Sequence, residues 1–420
     1  MASEKTRDNQ TVLGGYRALD LTDEKGAMCG WALAALGAEV IKVEPPGGDP
    51  SRSIPPFYGG VPHPEKSLFF FAYNTNKKSI TLNLETVDGR VIFEKLVRSA
   101  DFVIESFKPG YMEAQGLGYS ALDHINPRIV MTAITPFGQT GPYRGFKTSD
   151  LMCSAMSGFM YLTGDPDREP IRISVPQAYA LGGAEGAIAT MTAHYFRERT
   201  GEGQYVDVSI RESMLKTAPY SLPWMEKYGK LTKRSGPYWT LMGQNTRVHW
   251  PCKDGSVTFV LPAIKINPDL CRRFIEWMAE KGIIHESFNR IDWNHPDMAS
   301  ITPQIQNELE SSILNLCKTL TRSELMEGLI ARGITAAPVN TMEDISRNEQ
   351  LRARDFWEQV EHGEMGASIP YPGAFIRATE TPCVKKHRAP MIGEHNREIY
   401  VDFLGIPKKE LVILKVAGII

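Results

Sequence analysis

The chain has 420 residues, a formal net charge of −2, 42% hydrophobic residues and 23% charged residues. That length is enough for two domains with sizeable cores, and the charge balance excludes a basic nucleic-acid footprint or a polybasic membrane surface. The six cysteines, at positions 29, 153, 252, 271, 317 and 383, form no CxxC pair and no metal-ligand spacing, so a reduced, cytoplasmic chain without disulfides is expected.

The opening MASEKTRDNQ is polar and lacks the apolar core of a secretory signal. Short β-branched runs then alternate with helical patterns, the signature of a parallel sheet with crossover helices. VIKVE and DFVIES read as strands, Val87 to Ser99 as an amphipathic crossover helix between them, and IVMTAIT as a further buried strand. Gly116 to Gly118 (GLG) follows no clear strand and lacks the third glycine of a dinucleotide fingerprint, which argues against an NAD enzyme.

From Ala178 to Arg199 the chain is rich in Gly and Ala, with Gly182, Gly183, Gly186 and Ala187 permitting close backbone approach. Glu185 and His194 within it favour a buried helix over a membrane span. After Ser209 the pattern changes: a strand-like GSVTFVLP and helical stretches around Ile305 to Arg332 indicate a second domain, and GITAAPVNTMEDI leads back toward the first. The expected division is a large domain over 1–215, a small one over 216–335, and a return segment over 336–420. None of the nine histidines forms HExxH or a close ligand pair, so no metal is expected.

Several strings stand in order along the first half. They are ALDLT (Ala18 to Thr22), LGAEVIKVEPPGGDPSR (Leu36 to Arg52), FAYNTNKKSITLNLET (Phe71 to Thr86) and DFVIESFKPG (Asp101 to Gly110), then GLGYSALDHINPRIV, ITPFGQTGPY and SDLMCSAMSGFMYLTGDPD. In that order and spacing the chain resembles the family III coenzyme A transferases. The resemblance implies an α/β fold with a Rossmann-like large domain, a smaller α+β domain, and two subunits interlocked like linked rings. It also implies CoA thioesters and carboxylic acids as substrates, with no permanently bound cofactor.

Exchanging one thioester for another needs no ATP, and the barrier is kinetic. A carboxylate side chain lowers it by attacking the acyl thioester, giving a mixed anhydride and free CoA thiolate, which then attacks the enzyme's carbonyl of that anhydride to form a glutamyl- or aspartyl-CoA thioester and release the first acid. Counting back from RERTG at Arg197 to Gly201, the family's nucleophilic aspartate falls on Tyr179, and no Asp lies between Arg172 and Thr200. A phenol with an ordinary pKa of about 10 is protonated at neutral pH and cannot form a CoA thioester. Catalytic residues expected in this chain are therefore none. Two other departures agree: DEKGAMCGW (Asp23 to Trp31) replaces the usual Ala-Gly-Pro loop, and Ala114 replaces an arginine associated with the CoA phosphates.

By the same resemblance Asn76, Lys77, Phe107 and Lys147 are the expected CoA-binding residues, and Asp150 a second carboxylate near the reaction. Asp150 also reads as the N-cap of the LMCSAMSGF helix, and the two lysines as ordinary solvated side chains. Cys153 reads as a structural thiol for want of a partner base. A racemase would need His and Asp where Ser149 and Tyr179 stand. The expectation is thus a nucleophile-lacking subunit whose partner is a homologous, aspartate-bearing chain, the pair moving CoA from succinyl-CoA to an aromatic dicarboxylic acid such as (R)-benzylsuccinate. Two alternatives stay open: a homomeric enzyme using another carboxylate, Asp150 or Glu185, and a non-enzymatic CoA-ester binding protein.

Overall fold

A computed structural model describes residues 11–241, 244–260, 268–283, 285–293 and 302–420. They fall into two compact units, one of residues up to 160 with 172–231 and 350–420, the other of 161–171 and 232–349. The smaller unit thus starts and ends some residues later than the expected 216–335, and it takes in the 161–171 excursion, which no composition change marks. The segment after 349 returns to the larger unit.

In the larger unit six parallel strands are laid down in sequence: β1 (Arg17–Leu21), β2 (Glu39–Glu44), β3 (Lys77–Thr81), β4 (Phe102–Glu105), β5 (Val130–Thr135) and β6 (Gln204–Ser209). Their order across the sheet is β3-β2-β1-β4-β5-β6, all pairs parallel. β4 and β5 are buried along their whole length, as expected of strands covered by helices on both faces. Each fully buried Val, Ile or Phe there stabilises the fold by about 1.5–3 kcal/mol relative to exposure. The expected strands VIKVE, DFVIES and IVMTAIT are all present.

Helix α1 (Ala27–Ala35) follows β1, α2 (Leu68–Tyr73) precedes β3, and α3 (Val87–Val97) is the amphipathic crossover from β3 to β4. Thr86 caps α3 by accepting the Gly89 N–H at 3.0 Å. Short helices α4 (Tyr111–Ala114) and α5 (Tyr119–Ile125) lie between β4 and β5, and α6 (Asp150–Met156) follows β5. The longest helix, α7 (Ala178–Thr200), carries the glycines into the core. A Cβ on Gly183 would stand 2.9 Å from Met28 Cβ, and one on Gly186 2.5 Å from Ile134 Cδ1. α8 (Ile210–Leu215) closes the series after β6. The return segment is tied to the far edge of the sheet: the Tyr400 hydroxyl donates to the Thr81 carbonyl at 2.6 Å, and Asn83 N–H to the Ile419 carbonyl at 2.7 Å.

The smaller unit has a three-stranded antiparallel sheet of His249–Cys252, Gly255–Phe259 and Ala336–Pro338. Trp250, Phe259, Phe274, Trp277 and Phe288 fill its core. Of the expected GSVTFVLP strand, Gly255–Phe259 is strand, while Leu261 and Pro262 lie outside the described residues. The helical stretch around Ile305 to Arg332 is two helices, Pro303–Thr319 and Arg322–Ala331. Thr321 separates them because its hydroxyl and the Glu324 carboxylate cap the second helix reciprocally.

Candidate active site

In an open sheet of this order the chain turns in opposite directions after β1 and β4, leaving a crevice at their carboxyl ends where ligands bind. Here the two loops are clasped together. Asp23, after β1, donates its backbone N–H to Ser106 Oγ at 2.9 Å, and that hydroxyl donates to Asp23 Oδ1 at 2.8 Å. Ser106 and Phe107 continue directly from β4, with the Phe107 N–H donating to Glu105 Oε2 at 2.7 Å. Glu105 is 4% exposed, and burial pushes its carboxyl up to about 8.

Tyr179 is the second residue of α7 and is 9% exposed. Gln177, at the helix cap, makes no side-chain capping bond. Instead the Tyr179 N–H donates to Asp150 Oδ2 at 3.0 Å, so a carboxylate from the start of α6 caps α7. This corrects the N-cap reading of Asp150: Ser149 is the cap residue of α6, and Asp150 lies inside the helix and bonds across to α7. Burial pushes the Tyr179 phenol well above its ordinary value, and Cys153, Glu24, Asp23 and Asp150 push it the same way. The phenol is therefore a fixed neutral group. Asp150 also borders a hollow with Ser154, Phe159, Arg172, Gln177 and Met214.

Other reactive groups nearby are engaged. Glu185 accepts from Ser213 Oγ at 2.5 Å and from Lys216 Nζ at 2.9 Å, on the side of α7 that meets α8. Although burial opposes it, these two contacts hold the Glu185 carboxyl below its ordinary value. Cys153 is buried in the core cluster that includes Ala178 and Met214, its Sγ lies 3.8 Å from the Thr148 hydroxyl, and burial raises its thiol pKa.

The expected CoA-binding residues do not come together. Asn76 and Lys77 stand at the amino end of β3, opposite the crevice. Asn76 accepts from the His387 N–H at 2.6 Å and so anchors the return segment. Lys77 has a fully buried side chain whose ammonium meets Asp20 Oδ2 at 2.7 Å, Asn74 Oδ1 at 3.0 Å and the Ala27 carbonyl at 3.3 Å. Three acceptors use its three N–H donors, so Lys77 is a structural cation of the core, against the ligand role that the resemblance implies. Burial works against the Asp20 charge, yet Lys77 and Lys42 hold its pKa below the ordinary value. Lys147 is exposed and makes no ion pair among the described residues. Phe107 alone of the four stands at the crevice, its ring 4.4 Å from that of Tyr111. The Asp23–Ser106 clasp escaped the sequence reading, although DE after ALDLT and ES after DFVI stand at or just past the carboxyl ends of the two central strands.

The profile of CoA-transferase family III matches residues 13–396. The chain belongs to the family III CoA-transferases. Among family members, the succinyl-CoA:(R)-benzylsuccinate CoA-transferase subunit BbsE of Thauera aromatica is 33% identical over 94% of this chain and 95% of its own. The succinyl-CoA–L-malate CoA-transferase beta subunit of Chloroflexus aurantiacus is 29% identical over 95% and 96%. A CAIB/BAIF family protein from Brucella suis has the same fold, with a TM-score of 0.79 and 30% identity over 94% of this chain and 99% of that one. The α/β architecture implied by the motifs is thus the architecture of the family.

Proposed function

We propose that this chain is the nucleophile-lacking subunit of a heteromeric family III CoA-transferase. Its aspartate-bearing homologue would carry the aspartyl-CoA thioester while CoA passes from succinyl-CoA to an aromatic dicarboxylic acid such as (R)-benzylsuccinate. The observation that carries this reading is Tyr179, buried and neutral at the second position of α7, the position on which the resemblance puts the family's nucleophile. The two carboxylates that were candidates to replace it are otherwise engaged, Asp150 with the Tyr179 N–H and Glu185 with Lys216.

Both of the named transferase relatives bear the word subunit in their names, and the acceptor class comes from the benzylsuccinate transferase subunit. The larger unit also exposes Tyr143, Phe146, Ile188, Tyr195, Tyr220 and Trp224, apolar side chains that an interlocking subunit would cover. With two homologous chains so interlocked, equal numbers of each follow.

The test is CoA transfer from succinyl-CoA to benzylsuccinate by the purified chain, then by the chain co-expressed with its aspartate-bearing homologue. Activity in the co-expressed complex alone supports the reading. Turnover by this chain by itself defeats it and points to a homomeric enzyme, and CoA binding without any complex with the homologue points to a binding protein.

A further inference from the structure

Arg90 lies in the first turns of α3, where the chain leaves β3 and crosses the sheet. Its Nη1 donates to the carbonyls of Leu84 at 3.3 Å and Glu85 at 2.9 Å and to Gln115 Oε1 at 3.1 Å. One guanidinium nitrogen thus ties the turn after β3 to the helix that follows β4. Nε and Nη2, which form one edge of the planar fork, have no hydrogen bond or ion pair among the described residues, and neither is a buried unpartnered atom.

Gln115 directly follows Ala114, the position at which the resemblance leads one to expect a phosphate-binding arginine. Within the same turn-and-helix segment the half-buried rings of Phe107 and Tyr111 pack 4.4 Å apart at 35°. Gln115, which accepts from Arg90 Nη1, donates its own N–H to the Tyr111 carbonyl at 3.1 Å, so one residue joins the guanidinium to the helical turn that carries this aromatic pair. Lys108 is exposed one residue after Phe107.

We propose that Arg90 is the phosphate-binding residue of this chain's own crevice. It takes a phosphate of the nucleotide end of CoA, and the Phe107–Tyr111 pair offers the surface against which the adenine packs. The inference rests on the CoA-transferase reading and goes beyond it: a subunit without a nucleophile still holds CoA, through a cation moved from position 114 to the neighbouring helix. Two N–H donors on one edge of a planar guanidinium match two oxygens of a phosphate. Because Nη1 is already fixed by three acceptors, the fork is set before the ligand arrives and loses little side-chain freedom on binding. Flat aromatic rings supply stacking energy to a base without a hydrogen-bond code.

The experiment is calorimetric titration of the purified full-length chain with CoA and with dephospho-CoA, for the unchanged sequence, Arg90→Ala, Arg90→Lys and Arg90→Ala with Ala114→Arg. Arg90→Ala should weaken CoA binding by about ten- to a hundredfold, the range for a lost charge-assisted contact. Arg90→Lys should fall between, since it keeps the charge and loses the fork, and Ala114→Arg should restore binding to the Arg90→Ala chain. Insensitivity of dephospho-CoA to Arg90→Ala puts the contact on the 3′-phosphate, and equal sensitivity puts it on the diphosphate; both support the proposal.

Binding by Arg90→Ala within twofold of the unchanged chain overturns it, as does an unchanged chain that binds no CoA. Should Arg90→Ala fail to fold, Arg90→Lys decides, because affinity equal to that of the unchanged chain excludes use of the guanidinium edge. The readout is independent of turnover. Loss of transfer by the co-expressed complex with CoA binding intact defeats the functional reading and leaves this one standing, and the converse result does the opposite.

Discussion

Tyr179 is held at the start of α7 by a bond to its backbone, and that bond is indifferent to the side chain. An aspartate placed there would keep the helix cap and gain a buried site facing Asp23, Glu24 and Asp150, the groups that already oppose charge on the phenol. Low-dielectric surroundings and three like charges raise a carboxyl pKa, so Tyr179→Asp is expected to give a poor nucleophile. The variant should show no transferase activity by itself and no aspartyl-CoA adduct by intact-mass spectrometry at pH 7.

Lys77 makes a contrasting case. Lys77→Met leaves Asp20 buried with Lys42 as its remaining cation, 3.8 Å away. Urea denaturation should show a loss of about 3 kcal/mol, the low end for breaking a buried pair, with CoA affinity unchanged among molecules that remain folded. A CoA ligand would behave the other way round.

Glu105 ties stability to pH. Burial raises its folded-state pKa from an ordinary 4.5 to about 8, so between those values the folded chain binds the proton and the unfolded chain does not. Stability therefore falls as pH rises through that window. Glu105→Gln should melt higher than the unchanged chain at pH 8.5, and the gap should close toward pH 5.

At the level of elements, α7 approaches α1 and β5 closely because it presents glycines there. The nearest neighbours of a Cβ on Gly183 include the backbone nitrogens of Met28 and Cys29, both at 3.3 Å, which cannot rotate away as a side-chain tip would. Gly183→Ala raises helix propensity by about 1 kcal/mol, but forced overpacking costs about 1–3 kcal/mol. A net loss in melting temperature is expected, and a rise would show that α1 gives way. The Gly-rich pattern predicted the helix and its close approach. Its packing partner was not legible, because a glycine stripe names a distance and not a neighbour.

At the scale of the whole molecule, the two halves of the crevice come from segments about 80 residues apart, joined by Asp23 and Ser106. Ser106→Ala removes the clasp and leaves the Asp23 N–H and carboxylate without that partner. The co-expressed complex should then hold CoA more weakly in this subunit while keeping its equal stoichiometry, as measured by titration and by mass. If the larger unit's exposed aromatic side chains meet a homologous subunit, the chain purified alone should aggregate at concentrations where the complex stays dispersed.

What the sequence by itself determined is the family and the parallel strands, and the tyrosine at position 179 carries the proposal that the nucleophile is missing. Each is carried by a local run: motif order, β-branched stretches, and a single letter at a counted position. The tertiary structure decided which side chains share a site. It took Lys77 into the core with Asp20, turned Asp150 toward α7, sent Asn76 to the opposite end of the sheet, and brought Arg90 beside Gln115. These pairings join residues 25 to 311 positions apart. Burial and charge pairing are set by the strand order and the crossovers between strands, which no local stretch of the chain encodes.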